Sequence, residues 1–271
     1  CRGVRWIWQQ DQQIADPTPL TSRFSRIRVL AAAFDHFVAV YDGGKRSLVL
    51  RGIPETRVTV IYNGVADHAA RRPPGWLRRE LGLPDAALVG ITVGSLIPRK
   101  RMAFQVEAVS GVRSSGECFH LVIAGDGPER DSLKAYAHGQ GVADRVHFLG
   151  LRNDVRDLLA ESDVLLHTSA AETCTYAVSE AMAAGIPAVV TEAGAAREQI
   201  LDGQTGYVVA ADDRSGFRGR LLQLLRDPGL RKRMGEAARP RWHERYRVEE
   251  AARRYHRLYR TLAAGAAAGA S

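Results

Sequence analysis

Hydrophobic positions gather in short runs that do not alternate with polar ones: Phe37–Tyr41, Val58–Tyr62, Leu88–Val93, Phe119–Ala124, Val146–Leu149, Val164–His167, Ala188–Thr191 and Tyr207–Val209. Such runs predict strands buried on both faces. Arg5–Gln10 reads as a further short strand. Between the runs the apolar positions recur at helical spacing. Helices are expected within Pro17–Ala33, where Phe24, Ile27 and Leu30 recur, and over Gly43–Arg51, Trp76–Leu81 and Met102–Val109. Others are expected from Pro128 to about Ala137 and over Val155–Ala160, Ala177–Ala184 and Ala195–Leu201. Gly52 with Pro54, and Gly185 with Pro187, are stop signals, and Asn63-Gly64 is a turn signal. A last helix over about Val248–Leu262 places Val248, Ala251, Ala252, Tyr255, Leu258, Tyr259 and Leu262 on one face, away from Arg253, Arg254, Arg257 and Arg260. Strands alternating with helices predict an α/β fold with a doubly wound parallel sheet.

The organisation along the chain follows. Pro73-Pro74-Gly75 marks a linker, so residues 67–83 are taken as linker plus a short helix. A regular strand–helix rhythm then occupies residues 84–240, the span of one complete Rossmann-like domain. Residues 263–271 are Ala/Gly-rich and are expected to form a tail without structure.

With 271 residues, 45% hydrophobic and 25% charged, the chain is neither disordered, collagen-like nor a coiled coil. It has no apolar run long enough to cross a bilayer and no apolar leader near its start. The three cysteines, Cys1, Cys118 and Cys174, show neither disulfide nor zinc spacing, so a reducing cytoplasmic setting is expected. The chain opens on Cys1, which suggests a piece of a longer protein. The net charge of +8 is uneven: residues 214–260 hold fifteen Arg/Lys against five Asp/Glu. The excess belongs to the C-terminal helices. This basic stretch is either a solvated face or a surface for anionic lipid, which would hold the protein peripherally on the inner face of a membrane. No aromatic-interleaved motif accompanies it, so nucleic acid is not an expected partner.

In an open parallel sheet, ligands bind beyond the carboxyl ends of the strands. After Val93 come Gly94, Ser95 and the basic triplet Arg99, Lys100, Arg101. A glycine at a strand end, a following helix and cations suit a phosphate, though a solvated basic turn has the same composition. Lys100 is one of four lysines among thirty-four arginines, which points to a compact point charge. After Ala124, Gly125-Asp126-Gly127 lacks the third glycine of a dinucleotide loop. After His167, Glu172 and Glu180 bracket a loop-to-helix transition. On a continuous helix they would stand roughly 12 Å apart, too far for a retaining glycosidase pair, which needs about 5–5.5 Å. They better suit two anchors on a long, hydroxyl-rich ligand.

Glu172 and Glu180 with seven residues between them, followed by AMAAGIP and VVTEAGAAREQILDGQTGYVV, resemble the donor-binding half of GT-B retaining glycosyltransferases, the family 4 group (glycosyl transferases group 1). VTVIYNGV, VGSLIPRKR, AGDGPER, VHFLGLRNDV and SDVLLHTSAAE follow in the family's order, so the resemblance runs from about Phe34 to Tyr259. It implies a GT-B fold. Residues 1–66 would be the C-terminal remnant of an acceptor-side domain, residues 84–240 the donor-binding domain, and residues 241–262 a final helix returning to the first.

The resemblance also implies transfer, with retention and without a metal, from a nucleotide-sugar donor (UDP first, GDP second) to a glycan or lipid-linked acceptor. No tightly bound cofactor is expected. No Asp-x-Asp motif occurs. Lys100 would contact the diphosphate and Glu172 the sugar hydroxyls, the two catalytic assignments, while Glu180 would take the ribose. Gly94, Ser95 and Arg99 would flank the diphosphate. Amides around Cys174, Thr175 and Tyr176 would hold sugar or phosphate oxygens, and the base would lie near Leu151 and Arg152.

The departures are specific. Ser95 stands where the family often has arginine, leaving Arg99 or Arg101 to substitute. Thr173-Cys174-Thr175 replaces a glycine-rich loop, and Gln9 and Gln10 stand where a histidine is common. A non-catalytic sugar-nucleotide-binding module and a GT-B-like sugar-nucleotide epimerase are the alternatives.

Overall fold

The computed structural model describes residues 7–10, 32–67 and 70–268. The helix expected over Pro17–Ala33 lies, apart from its last two residues, outside them, as does Cys1. A three-stranded parallel sheet is built from β1 (Ile7–Gln10), β2 (His36–Ala39) and β3 (Val58–Val60) in that order. Helix α1 (Asp42–Leu50) connects the last two. The short helix α2 (Trp76–Glu80) precedes the larger sheet.

The larger sheet holds β4 (Leu88–Val93), β5 (Phe119–Ala124), β6 (Val146–Gly150), β7 (Val164–His167), β8 (Ala188–Thr191) and β9 (Gly206–Val209). Every pairing is parallel and the order is β6-β5-β4-β7-β8-β9. The order reverses between β4 and β7. The crossovers are α3 (Met102–Arg113), α4 (Arg130–Gly139), α5 (Val155–Ala160), α6 (Tyr176–Ala184) and the single turn α7 (Ala196–Gln199).

Both faces of this sheet are covered, which explains the absence of alternation. Val89, Ile91, Val122, Leu165 and Val190 pack with Leu158, Ala177 and Ala181 on one side. Leu121, Ile123, Leu166 and Val189 pack with Val106, Val109, Phe217 and Leu221 on the other. Phe217 and Leu221 belong to α8 (Arg214–Arg226), which is followed by α9 (Pro228–Arg245). The apolar pattern assigns these two helices no bounds, because arginines dilute it. Asp213 and Asp227 cap them by accepting the amides of Gly216 and Leu230 at 2.8 Å.

Helix α10 (Val248–Ala268) corrects two expectations. It runs six residues into the stretch expected to form a structureless tail. Its apolar seam is also narrower: Ala251, Tyr255, Leu258 and Leu262 pack on Val38 and Ile61, whereas Val248 and Tyr259 are exposed. The seam returns the chain's end to the three-stranded sheet.

Smaller differences fall at element ends. The ladder of β3 stops at Val60, two residues before the apolar run ends, and α7 covers four residues where seven were expected.

The two halves are joined where the chain crosses twice. The amide of Val65 donates to Tyr246 O at 2.8 Å and that of Val248 to Val65 O at 3.1 Å. A Cβ on Gly64 would stand 2.5 Å from Val248 Cα, so no larger residue fits this crossing. Among the described residues no helix is long and apolar enough to cross a membrane.

Candidate functional site

The reversal between β4 and β7 is where ligand sites form in open α/β sheets, because neighbouring crossovers leave on opposite faces and part the loops. The loop after β4 carries Gly94 through Arg101, and the loop after β7 carries Thr168 through Thr175. The two are stitched together. Ala170 N donates to Arg99 O at 2.8 Å, and Thr168 Oγ1 donates to the carbonyls of Lys100 and Arg101 at 3.1 Å each. Gln105 Nε2 donates to Thr168 Oγ1 at 3.0 Å and Ser169 Oγ to Arg99 O at 3.1 Å.

This framework brings Lys100 and Glu172 together, although 71 residues separate them in sequence. Lys100 Nζ lies 2.5 Å from Glu172 Oε1. Arg99 Nη1 is 3.7 Å from Oε2 and donates at 2.6 Å to Ala171 O. Buried His167, the last residue of β7, places Nε2 3.4 Å from the same Oε1 without making a hydrogen bond. Burial works against the charge on Glu172, yet His167 and Lys100 hold its carboxyl down at about 2. It is a carboxylate fixed between the Lys100 and Arg99 cations.

Glu180 sits in a different environment. It lies in the second turn of α6 and lines a cavity of about 500 Å³ with Asp67, Arg156, Leu159, Ala183 and Arg239. Neither Lys100 nor Glu172 lines it. No hydrogen bond or ion pair holds the Glu180 carboxylate among the described residues. Burial raises its pKa above the ordinary value, and Arg156 offsets part of that. A half-buried acceptor without a partner suits hydroxyl donors.

The other expected residues divide. Gly94 and exposed Ser95 begin the β4 loop beside Lys100. Arg101, offered as a substitute for the missing arginine, is committed elsewhere: its guanidinium donates to Asp212 at 2.7 Å and lies 5.4 Å from the Phe104 ring. Tyr176 is 55% exposed at the start of α6. Cys174 is buried, and burial pushes its thiol up to about 12, so it is inert filling. The Thr175 amide, expected to hold a ligand oxygen, donates to Gln199 Oε1 at 3.1 Å instead. Leu151 is 83% exposed at the end of β6, and Arg152 is clamped by both oxygens of Asp154 at 2.7 and 2.6 Å.

The sequence pattern assigns a site role to neither His167 nor Gln199. The first has a visible signal, a polar residue closing an apolar strand. The second has none, because its partners lie at least twenty positions away.

A family model described as glycosyl transferases group 1 matches residues 77–241. The chain is 31% identical over 76% of its length to the N-acetyl-alpha-D-glucosaminyl L-malate synthase of Bacillus anthracis, covering 54% of that protein. It is 35% identical over 59% of its length to the lipopolysaccharide core biosynthesis glycosyltransferase LpsE of Rhizobium meliloti, covering 46% of it. The chain thus spans about half the length of the curated relatives it matches. Among solved structures, Anabaena Alr3699/HepE in complex with UDP-glucose superposes with a TM-score of 0.83 at 23% identity, over 95% of this chain and 72% of that one. The architecture is that of a GT-B protein.

Proposed function

The chain belongs to the glycosyl transferases group 1, and from that premise we propose that it transfers a sugar from a nucleotide-sugar donor, UDP before GDP, to a glycan or lipid-linked acceptor. In this reading the transfer retains the anomeric configuration and uses no metal ion. The observation that carries the proposal is the meeting of Lys100 and Glu172 at the reversal of the sheet, 2.5 Å apart. A diphosphate at Gly94 and Ser95 competes with Glu172 for the Lys100 ammonium. As the bond to the sugar breaks, negative charge grows on the diphosphate, and a fixed cation stabilises it. Glu172, released towards the sugar, accepts from its hydroxyls while His167 stays beside it. Glu180 accepts from the ribose hydroxyls in the cavity between α5 and α6.

UDP is placed first because Alr3699/HepE is described with UDP-glucose, and a glycan or lipid-linked acceptor is placed first because LpsE is a lipopolysaccharide core enzyme. On this reading the domain boundaries are 1–66 acceptor-side, 67–83 linker and 84–240 donor-side. Peripheral docking on anionic lipid is part of the proposal, supported by the exposed groove of Arg253, His256, Arg257 and Arg260 on α10. Flotation with phosphatidylserine vesicles should show association that fades with salt; no association removes the docking.

The deciding experiment is a thermal-shift titration with UDP, GDP and ADP, with and without an attached sugar, run beside Glu180→Ala. A ligand confined to the folded state stabilises by about 2.7 kcal/mol at a hundredfold excess over Kd. A shift with UDP that the variant loses supports the donor site. No shift with any nucleotide overturns it.

A further inference from the structure

Two consecutive residues of α7, about 100° apart around its turn, grip different parts of the molecule. Glu198 reaches the three-stranded half. Its Oε2 accepts the Asp42 amide at 2.8 Å and its Oε1 the Gly43 amide at 3.0 Å. These are orphan amides of the first turn of α1, which has no side-chain cap of its own. Tyr62 shares its hydroxyl proton between Glu198 Oε2 at 3.2 Å and Asp42 Oδ2 at 3.0 Å. The helix of one half is therefore capped by a carboxylate of the other, 156 positions away.

Gln199, 1% exposed, grips the loop after β7. Its Oε1 accepts the Thr175 amide at 3.1 Å, and its Nε2 donates to Thr175 O and Ser179 Oγ at 2.9 Å each. Both backbone groups of Thr175 are thus held by one side chain. The rest of the loop lies flush on the same turn. Ala195 N donates to Thr173 O at 2.7 Å. A Cβ on Gly194, which sits at φ 53°, would stand 2.2 Å from Glu172 O, so only glycine serves there. Arg241 and Tyr246 brace the backbone of the pair from behind: Arg241 Nε donates to Gln199 O at 3.0 Å and Tyr246 Oη to Glu198 O at 2.8 Å.

We infer that Glu198 and Gln199 are positioning residues that couple the docking of α1 to the shape of the loop carrying Glu172. A displacement of the three-stranded half pulls on Glu198. Because α7 is one turn long, the pull arrives at Gln199 and from there at Thr175 and the start of α6. The inference deepens the donor-site reading and rests on it for its consequence in binding, though not for the coupling itself.

The test is a double-mutant cycle read by UDP calorimetry on the whole chain. Glu198→Ala, outside the donor site, should weaken UDP about tenfold, and Gln199→Leu should do the same. The double variant should be no weaker than Gln199→Leu alone, because both changes break one relay. Glu198→Gln keeps one acceptor for α1 and should recover part of the loss. It also serves if Glu198→Ala fails to fold. Tyr246→Phe removes a bond to the same turn without touching either side chain and should bind like the parent. Unchanged affinity in Glu198→Ala, or fully additive losses, overturns the coupling.

Amide exchange without nucleotide separates the two readings. Glu198→Ala should speed exchange at Thr175 at least about tenfold while Tyr246→Phe does not, since each segment opens as readily as the bonds holding it allow. If the parent binds no nucleotide, the donor reading falls and the exchange result still decides the coupling. Equal exchange in Glu198→Ala and the parent rejects it.

Discussion

Glu172 and Glu180 are eight positions apart and belong to regions with opposite electrostatics. The loop after β7 surrounds Glu172 with Lys100, Arg99 and His167 and holds its charge in place. The second turn of α6 leaves Glu180 half-buried beside a cavity, with Arg156 offsetting part of the cost of burial. Spacing alone presents them as a matched pair of anchors. The structure separates a carboxylate already balanced by protein from one that a ligand must balance. A group of the first kind contributes to the fold until a ligand competes for its partner. A group of the second kind costs the fold something until a ligand arrives.

The contrast is broken most forcefully at Lys100. Lys100→Met keeps the length of the side chain and leaves Glu172 without its closest cation. Unfolding free energy measured in urea should fall by about 2–3 kcal/mol, below the roughly 3–5 kcal/mol of a fully buried pair because both side chains keep some exposure. Lys100→Met/Glu172→Gln should restore most of that loss. A single variant as stable as the parent would show that the pair does not hold the loop. In the same variant, affinity for UDP should drop about a hundredfold while affinity for uridine stays.

Glu180→Gln sharpens the comparison from the other side. Removing an unbalanced charge should leave stability unchanged or raise it by up to about 1 kcal/mol, while UDP binding weakens about tenfold.

The two carboxyls also give opposite slopes with pH. Glu172 is held at about 2 against 4.5 in the unfolded chain. Its stabilisation is complete above pH 4.5 and is lost as the pH falls towards 2. Glu180 is raised, so the folded chain keeps its proton more tightly. Its stabilising contribution is present at low pH and is lost as the pH rises through the raised value. Urea curves from pH 3 to 7 on the parent, Glu172→Gln and Glu180→Gln should show differences of opposite sign, and parallel curves would erase the distinction. The smallest effect is expected at half-exposed Arg99, 3.7 Å from Glu172: Arg99→Ala should cost about 0.5 kcal/mol or less.

Much of this architecture is legible in the sequence for one reason. A strand buried on both faces is apolar at nearly every position, with only an occasional hydrogen-bonded Thr92 or His120, so Leu88–Val93 and Phe119–Ala124 announce themselves with their bounds intact. Lys100, Glu172 and Glu180 are legible because strand ends in such a sheet concentrate chemistry. What escapes is set by contacts distant in sequence. Helices α8 and α9 hide because Phe217, Leu221, Met234 and Trp242 are spread among arginines, many held by distant acids: Arg226 by Glu117, Arg214 by Glu107. Thr175 looks like a ligand-binding amide until Gln199 is seen against it. Ile61 and Tyr62 continue an apolar run past the end of β3 because the returning α10 covers Ile61 together with Val38 of β2, and Tyr246 packs on Tyr62.

The double crossing at Val65 and Val248 has a mechanical consequence. Two bodies joined by a single thread can tumble freely, and two bodies joined at well-separated points are locked. Here both threads pass through one spot, bonded to each other and packed against Gly64. Such a joint acts as a pivot. It resists sliding and stretching, and the swing it leaves is checked by a second contact between the halves, the Glu198 carboxylate on the amides of Asp42 and Gly43.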